Sequence, residues 1–208
     1  FNTLDQLLPD GSKNQNFPLV ADNASKTALT WAKYLVPMSQ YADIWDTGAC
    51  PIVFRFAEVL LSYAEATNEL SGPSADVYDA IDQVRTRTGM PAVDRTKYAT
   101  KESLRELIRR ERGVEFAGEG MRRADIVRWK DNSGKMIAET VMSGPLNRIV
   151  GTVNNSEPDV YKRATINTAA TSDMILIEQR QFKPHNRYFP IPQSSIDKNP
   201  KLTQNDGY

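Results

Sequence analysis

The chain has 208 residues, with 26 lysines and arginines balancing 26 aspartates and glutamates. The resulting pI of about 6.8 excludes a nucleic-acid binder driven by bulk charge, because phosphate neutralisation needs a basic surplus. An apolar share of 40%, a charged share of 25% and a mean hydropathy of −0.51 describe a folded globular chain, not a disordered or collagen-like one.

No apolar run approaches the roughly 18 to 20 residues that span a bilayer, and no secretory leader opens the chain. The chain starts at Phe1 without an initiator Met and reads as a processed or truncated product. Cys50 is the single cysteine, which excludes intrachain disulfides and cysteine-rich zinc sites. It follows Gly48-Ala49 without a preceding apolar stretch, and the expectation is a small buried thiol.

Residues 1–53 are rich in Asn, Asp, Ser, Pro and Gly and are expected to be irregular, with short extended pieces around Trp31 to Val36. The pattern changes at Phe54. From there to Leu70, apolar groups cover most of the helical circumference, which predicts a helix buried on nearly all sides. Ser71-Gly72-Pro73-Ser74 supplies a stop, a turn and an N-cap. Val77, Ala80, Ile81 and Val84 then repeat at i, i+3, i+4 and i+7 on a second helix. The pair predicts an αα-hairpin with small residues at its contact, similar to one unit of a tetratricopeptide-type (TPR-like) repeat.

After a turn at Arg87 to Pro91, Thr100 is placed to cap a third helix over 101–117, with Leu104, Leu107, Ile108 and Val114 on its apolar side. Gly118 and Gly120 interrupt it, and a short helix is expected from Met121 to about Lys130. Residues 131–187 lose periodicity apart from one strand at Met174 to Glu178, and the proline-rich tail reads as extended. The fold class is therefore mainly α: a TPR-like hairpin plus further helices with long irregular loops. The expected division is an irregular segment 1–53, a possible ligand-loop region, followed by a domain 54–208.

Charge is segregated although the total cancels. Residues 38–82 hold eight acids and one base, whereas 95–130 hold eleven bases and six acids. Segments of opposite sign in a small domain most simply face each other across a helix interface.

Four strings in a fixed order resemble one known family. Arg55-Phe56-Ala57-Glu58-Val59-Leu60-Leu61-Ser62-Tyr63-Ala64-Glu65-Ala66 resembles the R-x-A-E-x-x-L-x-Y-A-E-A helix of the SusD/RagB family. Arg85-Thr86-Arg87-Thr88-Gly89-Met90-Pro91 is similar to its V-R-x-R-A-G-M-P turn. Arg110 to Gly120, followed by Arg122, Asp125, Arg128 and Trp129, resembles its E-R-R-x-E-F-A-x-E-G and D-L-x-R-W stretch. The end of the chain, with Pro190-Ile191-Pro192, Asn199-Pro200, Gln204-Asn205 and Gly207-Tyr208, resembles its terminus. The resemblance covers about residues 52–208. Thr88, Gly113 and Asp206 depart from the pattern, standing where Ala, Arg and Pro are usual.

The resemblance implies a mainly helical lipoprotein on the surface of Bacteroidetes outer membranes. Such a protein caps a SusC-like TonB-dependent transporter and holds a glycan or another nutrient for import, with no cofactor and no catalysis. Membrane association would run only through an N-terminal lipid anchor, in a part of the family's length that this chain lacks. Two other classes stand beside this reading. One is a helical protein-interaction scaffold, a lid on the transporter with ligand contacts in the missing half. The other is a glycoside hydrolase using Glu111 and Glu115.

Several residues carry these alternatives. Glu111, Glu115 and Glu119 lie at successive i, i+4 positions and would repel one another unless cations such as Arg112, Arg122 or Arg123 sit beside them. Two carboxylates one turn apart on one helix rarely face a substrate from two sides, and arginine-rich flanks favour the ionised form over the proton-holding acid a glycosidase needs. Glu58 and Glu65, on the polar stripe with Arg55, are expected to meet arginines of the adjacent helix such as Arg85 or Arg109. Arg55, Glu58, Glu65, Arg85, Glu111, Glu115 and Arg122 are thus read as structural ion pairs.

His185, the lone histidine, has no partners for a zinc site or a triad. Sugar binding needs a flat aromatic face and planar polar groups. Trp31, Tyr41, Asp43 and Trp45 are the candidates, with Tyr161 a further one, while Lys33-Tyr34 reads as a scaffold strand. Tyr63 and Trp129 are expected in the core.

Overall fold

The computed structural model describes residues 7–15, 25–31, 33–34, 50, 52–159, 162–167 and 175–208. The chain is mainly helical. In order, the elements are α1 (Phe56–Ser71), α2 (Ala75–Arg87), α3 (Lys101–Glu115), α4 (Met121–Arg128), α5 (Ile137–Val141), β1 (Gly144–Asn147), β2 (Gly151–Val153), β3 (Ala164–Ile166), β4 (Leu176–Arg180) and α6 (Gln193–Lys198), with a 3-10 turn at Pro184–Arg187 before α6. The chain divides into two compact units, Val36–Asp125 and a second made of Phe1–Leu35 with Ile126–Tyr208.

In the first unit, local signals set the helix boundaries. Gly72 donates its N–H to the Asn68 carbonyl to close α1, and Ser74 Oγ accepts the Val77 N–H to open α2. Thr100 and Ser103 cap α3 reciprocally, each side chain accepting the other's backbone N–H at 3.1 and 3.2 Å. The core then assembles from one stripe of each helix. Ala57, Leu61 and Ala64 of α1 meet Val77, Ala80, Ile81 and Val84 of α2 and Leu104, Leu107 and Ile108 of α3, closed by Phe116. The alanines let the backbones approach. Asn68, fully buried, donates to the Lys101 carbonyl and ties the end of α1 to the start of α3.

Expectation and structure differ on α1. It is not buried on nearly all sides: Phe56, Val59, Tyr63 and Leu70 are exposed, and Tyr63, expected in the core, lies 46% open. Val114 likewise points outward, and Arg112 takes the buried position at the end of the α3 stripe.

Arg112 is the most enclosed cation among the described residues of this unit. Its Nε and Nη2 donate to the two oxygens of Asp125 at 2.9 and 3.0 Å, and Nη1 donates to Ser62 Oγ at 3.1 Å. Glu65 lies 3.5 Å from Nε. The two side chains of the pair are only 3% and 2% exposed, so each charge depends on the other for the solvation it has lost.

In the second unit, Trp129 is buried with Ile126, Met136 and Ala138, against Ile137, Met142 and Phe182. β1 pairs antiparallel with β4, Gly144 opposite Arg180, with an irregularity between Leu146 and Asn147. β2 pairs antiparallel with β3. Gly151 is required there, since a β-carbon would fall 2.3 Å from the Thr165 carbonyl oxygen. Three of these strands and α5 were not expected, because segments of three to five residues are too short to show a period. The tail is not simply extended either: Pro192 leads directly into α6. Gln204 pairs with both the N–H and the carbonyl of Ile191, and the Tyr208 hydroxyl donates to the Tyr188 carbonyl, fastening the end of the chain. Cys50, expected to be buried, is exposed.

Two outcomes follow from the charge placement. Asp125→Asn should lower unfolding free energy by about 3–5 kcal/mol in a denaturant titration, because it leaves Arg112 charged in the interior. Joint replacement by Arg112→Met and Asp125→Leu should recover most of that loss. At the surface, Glu69 is held below its ordinary pKa of 4.5, first by the hydrogen bonds from Arg105 and then by the charges of Arg105 and Lys101. A lowered carboxyl contributes stability above its unfolded value and loses it as pH falls through the folded one. Glu69→Gln should therefore cost under about 1 kcal/mol at pH 7, since the pair is part exposed. Its melting curve should converge with that of the unaltered chain as acid protonates Glu69 below 4.5.

Candidate functional site

The carboxylates that could suggest catalysis are distributed along α1 and α3, and arginines meet most of them. Arg85 pairs with Glu111 and also donates through Nε to the Pro91 carbonyl at 2.8 Å, so one guanidinium holds both α3 and the turn after α2. Arg55 pairs with Glu115, with Nε and Nη2 directed to the two oxygens of Glu119 at 2.7 and 2.9 Å. Arg87 reaches the same Glu115 oxygen at 2.6 Å. Partial burial alone would lower the pKa of Arg55. The hydrogen bonds to Glu119 and then Glu115, with their charges, override it and hold the guanidinium above its ordinary value.

The guanidinium carbons of Arg55 and Arg112 also lie 5.0 and 5.2 Å from the centre of the Phe116 ring. Phe116 is thereby the apolar centre of a charged lattice.

The individual partners differ from those expected. Glu65 faces Arg112, an arginine of α3 beyond the two named as examples. Glu58 makes no ion pair among the described residues. Arg122 lies over α3, and a β-carbon at Gly113 would sit 3.0 Å from its Nη1. That is a tight contact, relieved by a shift of a few tenths of an ångström in the Arg122 guanidinium.

Glu111 and Glu115 do not present two carboxylates across a gap where a sugar ring could lie. Each is directed to a different guanidinium, and their side chains are 17% and 14% exposed. Among the described residues, no group of three or more His, Cys, Asp or Glu side chains is placed to hold a metal ion. His185 packs edge-on against Tyr208 at 4.9 Å.

Among the described residues, two features offer open surface. The first is an open groove of about 570 Å³ between the start of α1 and the end of α2, floored by Ala57, Leu60 and Val84 and edged by Phe56, Gln83 and Arg87. The second is the segment around Trp31, whose side chain is 52% exposed. Ala28 and Tyr34, on either side of it, have φ of 62° and 65° and are the two non-glycine residues with positive φ among those described. Such conformations cost energy and need support from their surroundings. Ala28 is buried, and the Ile149 N–H donates to the neighbouring Thr27 carbonyl at 3.1 Å. Lys33 and Tyr34 form a turn, not a strand, with the Lys33 ammonium 5.4 Å from the Tyr34 ring centre. Tyr41, Asp43, Trp45 and Tyr161 lie outside the described residues.

Sequence reasoning missed the Arg112–Asp125 pair and the bracketing of Trp31. The first is an i, i+13 contact across a helix break, which no helical period reports. The second is a backbone property for which Ala and Tyr carry no signal.

Comparison with known proteins gives this arrangement its context. The sequence matches the profile of the SusD family over residues 10–208. It is 31% identical over 156 residues to the SusD-like protein P25 of Formosa agariphila, covering 74% of this chain and 23% of that protein. The SusD-like protein P38 of the same organism is 35% identical over 83 residues, covering 37% of this chain and 16% of that protein. A crystal structure of a SusD-like protein from Bacteroides fragilis superposes with a TM-score of 0.54 at 26% identity, covering 76% of this chain and 26% of that one. The chain thus spans about a quarter or less of the length of these relatives. No helix among the described residues is long and apolar enough to cross a membrane. With its four motifs, its mainly helical fold and a match that runs from residue 10 to the C-terminal tyrosine, the chain belongs to the SusD family.

Proposed function

We propose that the chain is part of a non-enzymatic, surface-exposed protein that holds a glycan or another nutrient at the outer membrane. It would hand that ligand to a SusC-like TonB-dependent transporter, with attachment through an N-terminal lipid. Membership of the SusD family supports this reading, and one observation carries the ligand-binding part. Trp31 stands half open on a segment whose backbone is held in two unfavourable conformations. An indole presented on a fixed support offers a flat apolar face to the C–H side of a sugar ring without a large ordering cost on binding. Tyr41, Asp43 and Trp45 are the further contacts of this proposal, with the carboxylate of Asp43 as hydroxyl acceptor.

The carboxylates argue for the same reading from the other side. A retaining glycosidase places two carboxyl groups about 5 Å apart across the scissile bond, one of them holding a proton. Here Glu111 and Glu115 are each directed to guanidinium partners and not toward each other across a gap.

Isothermal titration of soluble neutral oligosaccharides against the intact chain should show saturable binding, and Trp31→Ala and Trp45→Ala should each weaken it by about three- to tenfold, the worth of an aromatic contact. Absence of binding to the intact chain, or unchanged affinity in both variants, would remove the aromatic-segment proposal. In a reducing-end release assay no turnover is expected. Turnover abolished by Glu115→Gln would return catalysis to α3.

A further inference from the structure

From Arg55 to Arg112, every lysine and arginine but two meets an aspartate or a glutamate. The two are Lys97 and Arg110. Neither makes an ion pair among the described residues, and both converge on the side chain of Tyr98. Arg110 Nη2 donates to the Tyr98 hydroxyl at 2.9 Å, and the Lys97 ammonium lies 5.4 Å from the centre of the Tyr98 ring. The phenol is held below its ordinary pKa of 10.0, first by the Arg110 hydrogen bond and then by the charges of Arg110 and Lys97.

The acids that could neutralise this pair are directed elsewhere. Glu106, one turn before Arg110 on α3, pairs with Arg109 at 3.0 Å. Asp94 Oδ1 accepts the backbone N–H groups of Thr96 and Lys97, each at 3.0 Å. Tyr98 itself is fixed on three sides. Its N–H donates to the Asp94 carbonyl at 3.0 Å, its carbonyl accepts the Tyr78 hydroxyl at 2.8 Å, and its ring packs against the core of the three helices. A hydroxyl held this way and flanked by two cations costs little further ordering when a ligand arrives.

We propose that Lys97, Tyr98 and Arg110 form a binding site for a tetrahedral oxyanion, a phosphate or sulfate group, either free or carried as an ester on a small ligand. Two like charges on one neutral side chain repel, and an anion between them turns that repulsion into two attractions. The donor set suits several oxygens at once. The guanidinium of Arg110 has further N–H groups with no acceptor among the described residues, the Tyr98 hydroxyl keeps a proton to donate, and the Lys97 ammonium is a compact third donor. A carboxylate, with two oxygens in one plane, would leave one of the three donors unmatched. The site lies on α3 and the loop before it, away in sequence from Trp31, and it does not rest on the glycan reading.

The test titrates the whole chain with inorganic phosphate, inorganic sulfate, glucose 6-phosphate, glucose and acetate at constant ionic strength, following backbone amide shifts by nuclear magnetic resonance. Phosphate or sulfate should give saturable shifts centred on Lys97, Tyr98 and Arg110. Glucose should give none, and acetate should bind at least about threefold more weakly. Lys97→Gln and Arg110→Gln should each weaken oxyanion binding at least about threefold, and Tyr98→Phe at least about twofold. Lys135→Gln, which removes the same charge from the second unit, should leave it unchanged. Thermal melts verify that the variants fold. If the charge variants do not, Tyr98→Phe, which keeps the ring in place, decides alone. Tighter binding of glucose 6-phosphate than of inorganic phosphate would assign the site to an ester, and equal binding to the free ion; both uphold it. Lack of saturation, shifts centred elsewhere, acetate binding as tight as phosphate, unchanged affinity in both charge variants, or equal weakening by Lys135→Gln would overturn the proposal.

Discussion

Guanidinium groups laid between helices are the constraint on which the rest of this structure depends. α1 and α3 bring apolar stripes together, but each also brings charge to the margin of the core, and charge cannot enter a low-dielectric region alone. Arg112 enters because Asp125 meets it with two oxygens and Ser62 with a third acceptor. Arg55 lies along the Phe116 ring because Glu115 and Glu119 receive it. The planar fork of arginine suits both tasks, since it offers several donors in fixed directions and can lie flat on an aromatic ring. Replacing lysine for arginine in this lattice would keep the charge and lose the geometry.

The same lattice separates scaffold from surface. Glu65, Glu111 and Glu115 meet arginines across helices, and in the proposed reading recognition falls to groups that the core does not use. Trp31 lies on an irregular segment in one unit, and the cluster of Lys97, Tyr98 and Arg110 lies in the other. A repeat-like frame that carries recognition on loops and outer faces can change its ligand without changing its core.

Much of the frame was legible because it is written locally. The stripe of α2, the Ser74 cap, the Gly72 stop and the Thr100 cap are encoded within one or two turns, and each forms where its residues stand. Charge segregation between 38–82 and 95–130 anticipated facing helices, yet which acid meets which base depends on interhelical register, and the contact of Glu65 with Arg112 was not singled out. Burial of α1 was overread for a related reason. Composition reports that Phe56, Val59 and Tyr63 are apolar, but it cannot say whether the surface they require belongs to the same segment of chain. Strands of three or four residues such as β2 and β3 are pairing events between distant segments, and no short stretch announces them. The candidate ligand residues were legible only as residue types. Trp31 is exposed, while Tyr41, Asp43 and Trp45 lie outside the described residues.

The account rests on ionised glutamates acting as framework, and a double-mutant cycle between Arg55 and Glu115 measures that directly. Unfolding free energies of the chain, Arg55→Met, Glu115→Gln and the double variant give the coupling between the two side chains. A coupling of about 1–3 kcal/mol is predicted for residues that share one network. Additivity within about 0.5 kcal/mol would contradict the account, because Glu115 would then contribute nothing through Arg55, the guanidinium that ties it to the start of α1.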